Sequence, residues 1–387
     1  MAQTESLALQ GQRQAARALA RCAEWLVRLP AWIFIAVLML ATAGRIGIGF
    51  YGNYHTVQNA HAFPSAYDYT SAGITAGLVY RLLSLNGFTW FVLTAAVVFV
   101  AAMAPVLATW RRSSDPSRWR LALLVMLGWQ ALPATSQLLG DYQSLLLLFV
   151  SLGLVLHRWW VWSPMLALAA LSGPEPAAVG FACLLIGTWA PVLRRWRTRA
   201  VTGLCLAVGW FALSAAWLAG SGVESRSASM LHDIVPTLTI TVAQGVIGIY
   251  AMWGPWWILV GMLAVLSHGR GRLTLVLAAV ILPVAATALT WDGTRVFVCV
   301  SAPIGLAMAI SYLMDDAAPA VNEPEGARHA NLAIPAVSLW VVALLLMPPV
   351  VSNFGPGYRS QWSGPLYQVA KHLGHGDGLL SALLGQP

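Results

Sequence analysis

One carboxylate stands alone among aromatic and imidazole side chains. Residues 51–87 form a long polar and aromatic stretch, and Asp68 is its only acid, flanked by Tyr67 and Tyr69 with His55 and His61 upstream. A carboxylate desolvated by such neighbours has a raised pKa and can take a proton as a general base. The plainer alternative is that Asp68 caps the helix expected over 70–83, since an Asp before an apolar run is an ordinary N-cap. Spacing alone leaves both readings open.

Three further groups sit where apolar runs turn. The first is Gln137-Leu-Leu-Gly-Asp141-Tyr-Gln143-Ser144, which doubles as a polar cap between two helices. The second is Ser172-Gly-Pro-Glu175-Pro, a breaker turn whose Glu175 would favour the positive end of the next helix. The third is Trp291-Asp292-Gly-Thr294-Arg295, with Arg295 opening a strongly apolar run. Arginine grips phosphate by paired hydrogen bonds in a dry setting, so Arg295 reads either as a phosphate ligand or as the partner of Asp292. Arg226, with His232 and Asp233, adds polarity to the stretch 220–240. The aromatic residues Trp291, Trp362, Tyr67 and Tyr69 suit stacking on a sugar, although most of the 19 tryptophans fit the aromatic belt of a membrane interface better.

The elements that hold these groups follow from composition. Of 387 residues, 58% are hydrophobic and 9% charged, with a mean hydropathy of +0.70. Soluble domains carry about 25% charged residues, so an ordinary soluble fold is excluded. Apolar runs of helical length predict an all-α, polytopic integral membrane protein, and the absence of short alternating segments argues against an outer-membrane barrel. The net charge of +8 does not indicate nucleic acid, because the basic residues lie scattered between apolar runs. Cys22, Cys183, Cys205 and Cys299 stand singly and read as small packing residues.

Arginine positions give the path, because basic residues stay on the cytoplasmic side. About eleven spans are expected, near 31–50, 88–109, 121–136, 143–157, 162–172, 176–192, 200–219, 252–267, 273–290, 297–313 and 331–350. Residues 1–28 read as an interfacial amphipathic helix on the inner leaflet, and 31–50 as a retained signal anchor. Residues 29–195 form a first transmembrane core with the outer loop 51–87, and 196–313 a second module in which 220–250 lies partly on the outer face. Residues 314–330 are an inner linker, and 331–387 a last span with an outer tail. Arg45, Arg81, Arg226, Arg295 and Arg359 are the arginines left outside, together with Asp68, Asp141, Glu175, Glu224, Asp233, Asp292 and Asp377. The outer face is therefore the expected chemical face.

On these motifs the chain resembles the GT-C superfamily of polyprenyl-phosphate-sugar-dependent glycosyltransferases, in particular the bacterial mannosyl- and arabinosyltransferase-like branch. The resemblance covers roughly residues 31–195 and is carried by Ala66-Tyr-Asp68-Tyr through Gly77-Leu-Val-Tyr80, by Gly140-Asp141-Tyr142-Gln143, and by Leu168-Ala-Ala-Leu171-Ser-Gly-Pro174. Ser172-Gly173 stands where that branch has a basic residue. The resemblance implies a multi-pass protein of the bacterial cytoplasmic membrane, N-terminus inside and active face outside. Its implied partners are a polyprenyl-phosphate sugar donor, a lipid-linked or cell-envelope glycan acceptor and membrane lipids, with no nucleic acid. No cofactor is implied, and a divalent metal stays open.

In the implied reaction Asp68 is the base for an inverting displacement, with the donor phosphate near Arg295 and Arg226. Asp292, Asp141, Glu175, His55, His61, Tyr67 and Tyr69 complete the candidate substrate-binding set. Two other readings compete. An O-antigen-type polysaccharide polymerase would carry paired arginines in a large late outer loop, where 220–250 has Arg226 alone. A lipid-linked glycan transporter or flippase would carry polar residues at mid-membrane depth, broken helices and repeats.

Overall fold

The computed structural model describes residues 29–36, 87–112, 116–135, 142–220, 234–288 and 293–314, with short pieces at 25, 82, 339–340, 343–344, 347, 349–352 and 358–360. The described chain is mostly helical. Its main helices are α1 (Gly87–Arg112), α2 (Pro116–Leu127), the short α3 (Ala131–Ala134), α4 (Tyr142–Val155), α5 (Trp159–Ser172) and α6 (Pro174–Gly187). There follow α7 (Arg197–Gly220), α8 (Ile234–Trp253), α9 (Trp257–Leu266), α10 (Arg270–Val276), α11 (Leu282–Ala288) and α12 (Gly293–Met314). Strands β1 (Val350–Ser352) and β2 (Tyr358–Ser360) pair antiparallel, Val351 opposite Arg359. Strand β1 takes the last residue of the run expected as a final helix over 331–350.

Among the described residues, four helical stretches are long and apolar enough to cross a membrane: Pro191–Trp217, Gly245–Val265, Arg270–Ala288 and Gly293–Leu313. Helices α4, α5 and α6 have 14 residues each. At about 1.5 Å per residue that falls short of a hydrocarbon core about 30 Å thick. The apolar segments belong to a membrane-associated protein. Residues 234–253, expected to lie partly on the outer face, are helical, and the exposed side chains Val235, Leu238, Val242, Val246 and Ile249 are apolar at helical spacing. Gly245, at φ 52°, interrupts this helix, and a π-helical stretch, Leu277–Ile281, joins α10 to α11.

The centre of the bundle is α12, whose apolar window is 89% buried, against 22% for Pro191–Trp217 at the periphery. Helices α4, α6, α8, α9 and α11 all pack on it. On one side Trp129, Trp256 and Trp253 stack at centroid spacings of 5.7 and 6.0 Å, and Trp253 meets Phe297 edge-on at 5.0 Å. Trp256 donates to the Val125 carbonyl at 2.7 Å and Trp253 to that of Ala279 at 3.1 Å, so the indole N–H of both is satisfied. These tryptophans are core, not interfacial belt. Trp110, Trp159, Trp160 and Trp189 are exposed, as belt residues would be. Cys183 and Cys299 are buried in packing as expected, whereas Cys205 lies on the exposed side of α7.

Candidate functional site

The contacts divide the bundle into two unlike ends. At one end most of the described arginines of the helices collect. Arg112 closes α1 and meets His157, just past α4. Arg199 opens α7 and donates to the carbonyls of Leu154 and, at 2.7 Å, Leu156. Its guanidinium lies 5.2 Å from the Trp196 ring and 5.5 Å from that of Trp162. Trp196 in turn donates to Ser311 Oγ at 2.9 Å, near the end of α12. A Cβ on Gly271 would lie 3.2 Å from Pro191, so Arg270 and Arg272 belong to this end too. The last carbonyls of a helix have no partner within it, and here arginines supply one for α4. The negative end of the α4 dipole also favours a cation at that position.

At the opposite end, α4, α6 and α12 present their first turns. The directions follow from contacts along the helices. Gly180 on α6 lies against the Val300 carbonyl and Pro303 of α12, and Gly187 against Ile304. Val192, past α6, accepts from Ser311 at 3.2 Å. The two helices therefore run parallel, in register. Five residues before the Gly180–Val300 contact, Glu175 and Arg295 stand at one height. Glu175 sits in the first turn of α6 behind Pro174, where a carboxylate complements the helix dipole. Arg295 sits in the first turn of α12, where a cation opposes it.

The polar groups at this end are mostly buried. Gln143 and Ser144 on α4 are 4% and 0% exposed, and Thr294 is 0% exposed with its hydroxyl directed at the Ala251 carbonyl. Gln130, 1% exposed, donates its amide to the Val350 carbonyl, which ties the segment before α3 to β1. Its Oε1 lies against Gly254, whose φ of 52° and lack of a side chain permit that approach. Arg295 is half-buried.

No family model, curated protein or solved structure matches this chain. The site is therefore read from its own residues. Of the side chains singled out from sequence, Arg295 and Glu175 are described, and they share one end of the bundle. Asp68, Asp292, Asp141, His55, His61, Arg226, Tyr67 and Tyr69 lie outside the described residues. Among the described residues, no three His, Cys, Asp or Glu side chains come together to hold a metal ion. The tryptophan stack beside Phe297 was not legible, because an indole in an apolar run has the same appearance whether it meets lipid or core. Gln143 was visible only as part of the Gly140–Ser144 turn. Its signal is a neutral amide opening a run of four leucines.

Proposed function

We propose that the protein is a membrane glycosyltransferase that moves a sugar from a polyprenyl-phosphate donor to a lipid-linked or cell-envelope glycan acceptor. The chain is a multi-pass protein of the bacterial cytoplasmic membrane, with the arginine-rich end inside and the first turns of α4, α6 and α12 outside. The observation that carries the reading is the position of Arg295. A guanidinium on the first turn of a buried helix adds its charge to the positive end of the helix dipole. An anion placed there is held by both. A lipid phosphate arriving from the bilayer has the charge and the paired oxygens that arginine recognises.

The reaction is a single displacement. An acceptor hydroxyl oxygen attacks the anomeric carbon from the face opposite the phosphate, and the bond from that carbon to the phosphate oxygen breaks. Asp68 takes the hydroxyl proton, and polyprenyl phosphate leaves as the anion near Arg295, with the anomeric configuration inverted. A phosphate leaving group needs no general acid, so one carboxylate suffices, unlike glycoside hydrolysis with its two. The resemblance of the segment around Asp68 to the GT-C glycosyltransferases supports its role as base. Purified protein in proteoliposomes, supplied with polyprenyl-phosphate mannose or arabinose and a glycan acceptor, should release polyprenyl phosphate and extend the acceptor. Asp68→Asn should abolish transfer with an unchanged melting temperature. Full activity in that variant would remove the base assignment.

A further inference from the structure

Gln143 presents a buried acceptor that the protein leaves unused. Its side chain is 4% exposed, and its Oε1 is buried without a hydrogen-bond partner among the described residues. Leaving a buried polar atom unpaired destabilises the fold, so native chains keep such atoms where something else pairs with them. The atom is an acceptor, so its missing partner must be a donor. Anionic phosphate oxygens donate nothing. A sugar hydroxyl does.

The face of α4 that carries Gln143 is fixed by its neighbours. Ser151 Oγ donates to the Ala101 carbonyl of α1 at 2.6 Å, and Gly153 lies against Leu166 of α5. At about 100° per residue, Gln143 falls roughly midway between those two sides. It shares that buried face with Leu147, Val150 and Leu154. The remaining partner of α4 is α12. On α12, Val300 and Pro303 face α6, while Thr294, Phe297 and Gly305 face α8 and the tryptophans. Arg295 falls between those sides, on the face it shares with Val298, Ala302 and Leu306, all buried.

The two helices are parallel, because the end of α4 reaches the end of α12 through Arg199, Trp196 and Ser311. Counting back from that junction sets Gln143 about one helical turn deeper than Arg295. An anchored phosphate at Arg295 would thus carry its sugar over the first turn of α4.

We infer that Gln143 is a donor-sugar recognition residue: with the lipid phosphate at Arg295, its Oε1 accepts a hydrogen bond from a ring hydroxyl of the transferred sugar. This inference rests on the glycosyltransferase reading and assigns the sugar subsite within it. Such a buried acceptor also discriminates, because a sugar lacking the hydroxyl leaves Oε1 unpaired.

The test uses the full chain in nanodiscs and measures binding of polyprenyl-phosphate mannose, polyprenyl-phosphate arabinose and polyprenyl phosphate alone. Wild type should bind one sugared lipid more tightly than polyprenyl phosphate. Gln143→Met, of similar volume and without the acceptor, should lose that preference by about tenfold, the effect of one hydrogen bond of about 1.4 kcal/mol. Its affinity for polyprenyl phosphate alone should not change. A variant that keeps the full preference overturns the inference and leaves the glycosyltransferase reading standing. Wild type that binds neither sugared lipid better than polyprenyl phosphate overturns both. Should Gln143→Met not fold, monodeoxy analogues of the preferred donor answer the same question on wild type. One of them should bind about tenfold more weakly, and equal binding by all of them overturns the inference.

Discussion

Gly180 and Val300 touch where the parallel helices α6 and α12 cross: a Cβ on Gly180 would stand 2.6 Å from the Val300 carbonyl oxygen and 2.8 Å from the Pro303 ring. Neither neighbour can yield cheaply, since one is backbone and the other a ring locked to it. Gly180→Ala should therefore force the helices apart at a cost of about 1–3 kcal/mol, as overpacking a dense core does. Thermal unfolding in detergent should show the loss, with Gly209→Ala as control because that glycine has nothing within 4 Å. Equal melting of the two variants would refute the close approach.

This relationship also marks how far the sequence could be read. The gathering of Arg112, Arg199, Arg270 and their neighbours at one end was legible, because cations cluster where apolar runs end and the membrane rule fixes their side. Arg295 and Glu175 were legible as charges bordering apolar runs. The burial of Gln143 was not, since it depends on α12, which lies about 150 residues away in the chain. The π-helical joint before α11 was hidden because the local pattern of apolar residues runs through Leu277–Ile281 unbroken, whereas the interruption at Gly245 falls where Gln244-Gly245 breaks that pattern.

The tryptophan stack gives a second prediction. Trp256 is fully buried, stacks between Trp129 and Trp253, and bonds the Val125 carbonyl. Trp256→Ala should lower stability by about 3–5 kcal/mol, the usual cost of removing a large buried aromatic. Trp256→Phe keeps a ring and loses the donor, so it should cost less, about 1–3 kcal/mol for the carbonyl left unpaired. Denaturant or thermal titrations of the three proteins would check the order. A belt residue would show almost no effect in detergent.

At the arginine-rich end, Arg199 closes α4 by donating to Leu154 and Leu156. Arg199→Ala removes both bonds and the contacts with Trp162 and Trp196. Loss of a charged donor to two carbonyls should cost about 1.5–3 kcal/mol. Hydrogen exchange should then rise first at the last turn of α4. Uniform exchange across the bundle would contradict a local capping role.

His157, in the connection after α4, carries a pH dependence. Burial first, then the nearby Arg112 and Arg199 guanidinium groups, holds its imidazole below the ordinary value of 6.5. The unfolded chain therefore binds the proton more readily than the folded one. The stability that His157 contributes is complete above about 6.5 and is lost as the pH falls from there towards the lowered folded value. Protonation would also set an imidazolium against Arg112 in place of an acceptor. Melting curves from pH 7.5 to 5 should fall more steeply for wild type than for His157→Asn. Identical slopes, or an imidazole titrating at or above 6.5 by NMR, would refute it.

The last prediction separates charge from geometry at Arg295. If the guanidinium holds the donor phosphate by paired hydrogen bonds, both the cation and its fork contribute, and lysine restores only the first. Arg295→Ala should lower kcat/KM for sugar transfer by about 30-fold or more, because losing a buried charged partner costs about 2 kcal/mol or more. Arg295→Lys should fall between alanine and wild type. Arg295→Ala should also relieve the cation's conflict with the α12 dipole, and Arg295→Lys should leave it as it is, so neither should lower the melting temperature through the helix itself. Activity and melting measured on one set of preparations distinguish the outcomes. Transfer that survives Arg295→Ala unchanged places the phosphate elsewhere. Transfer lost equally in Ala and Lys variants, with melting unchanged, makes the planar fork the essential feature, because a charge alone in that position then does nothing.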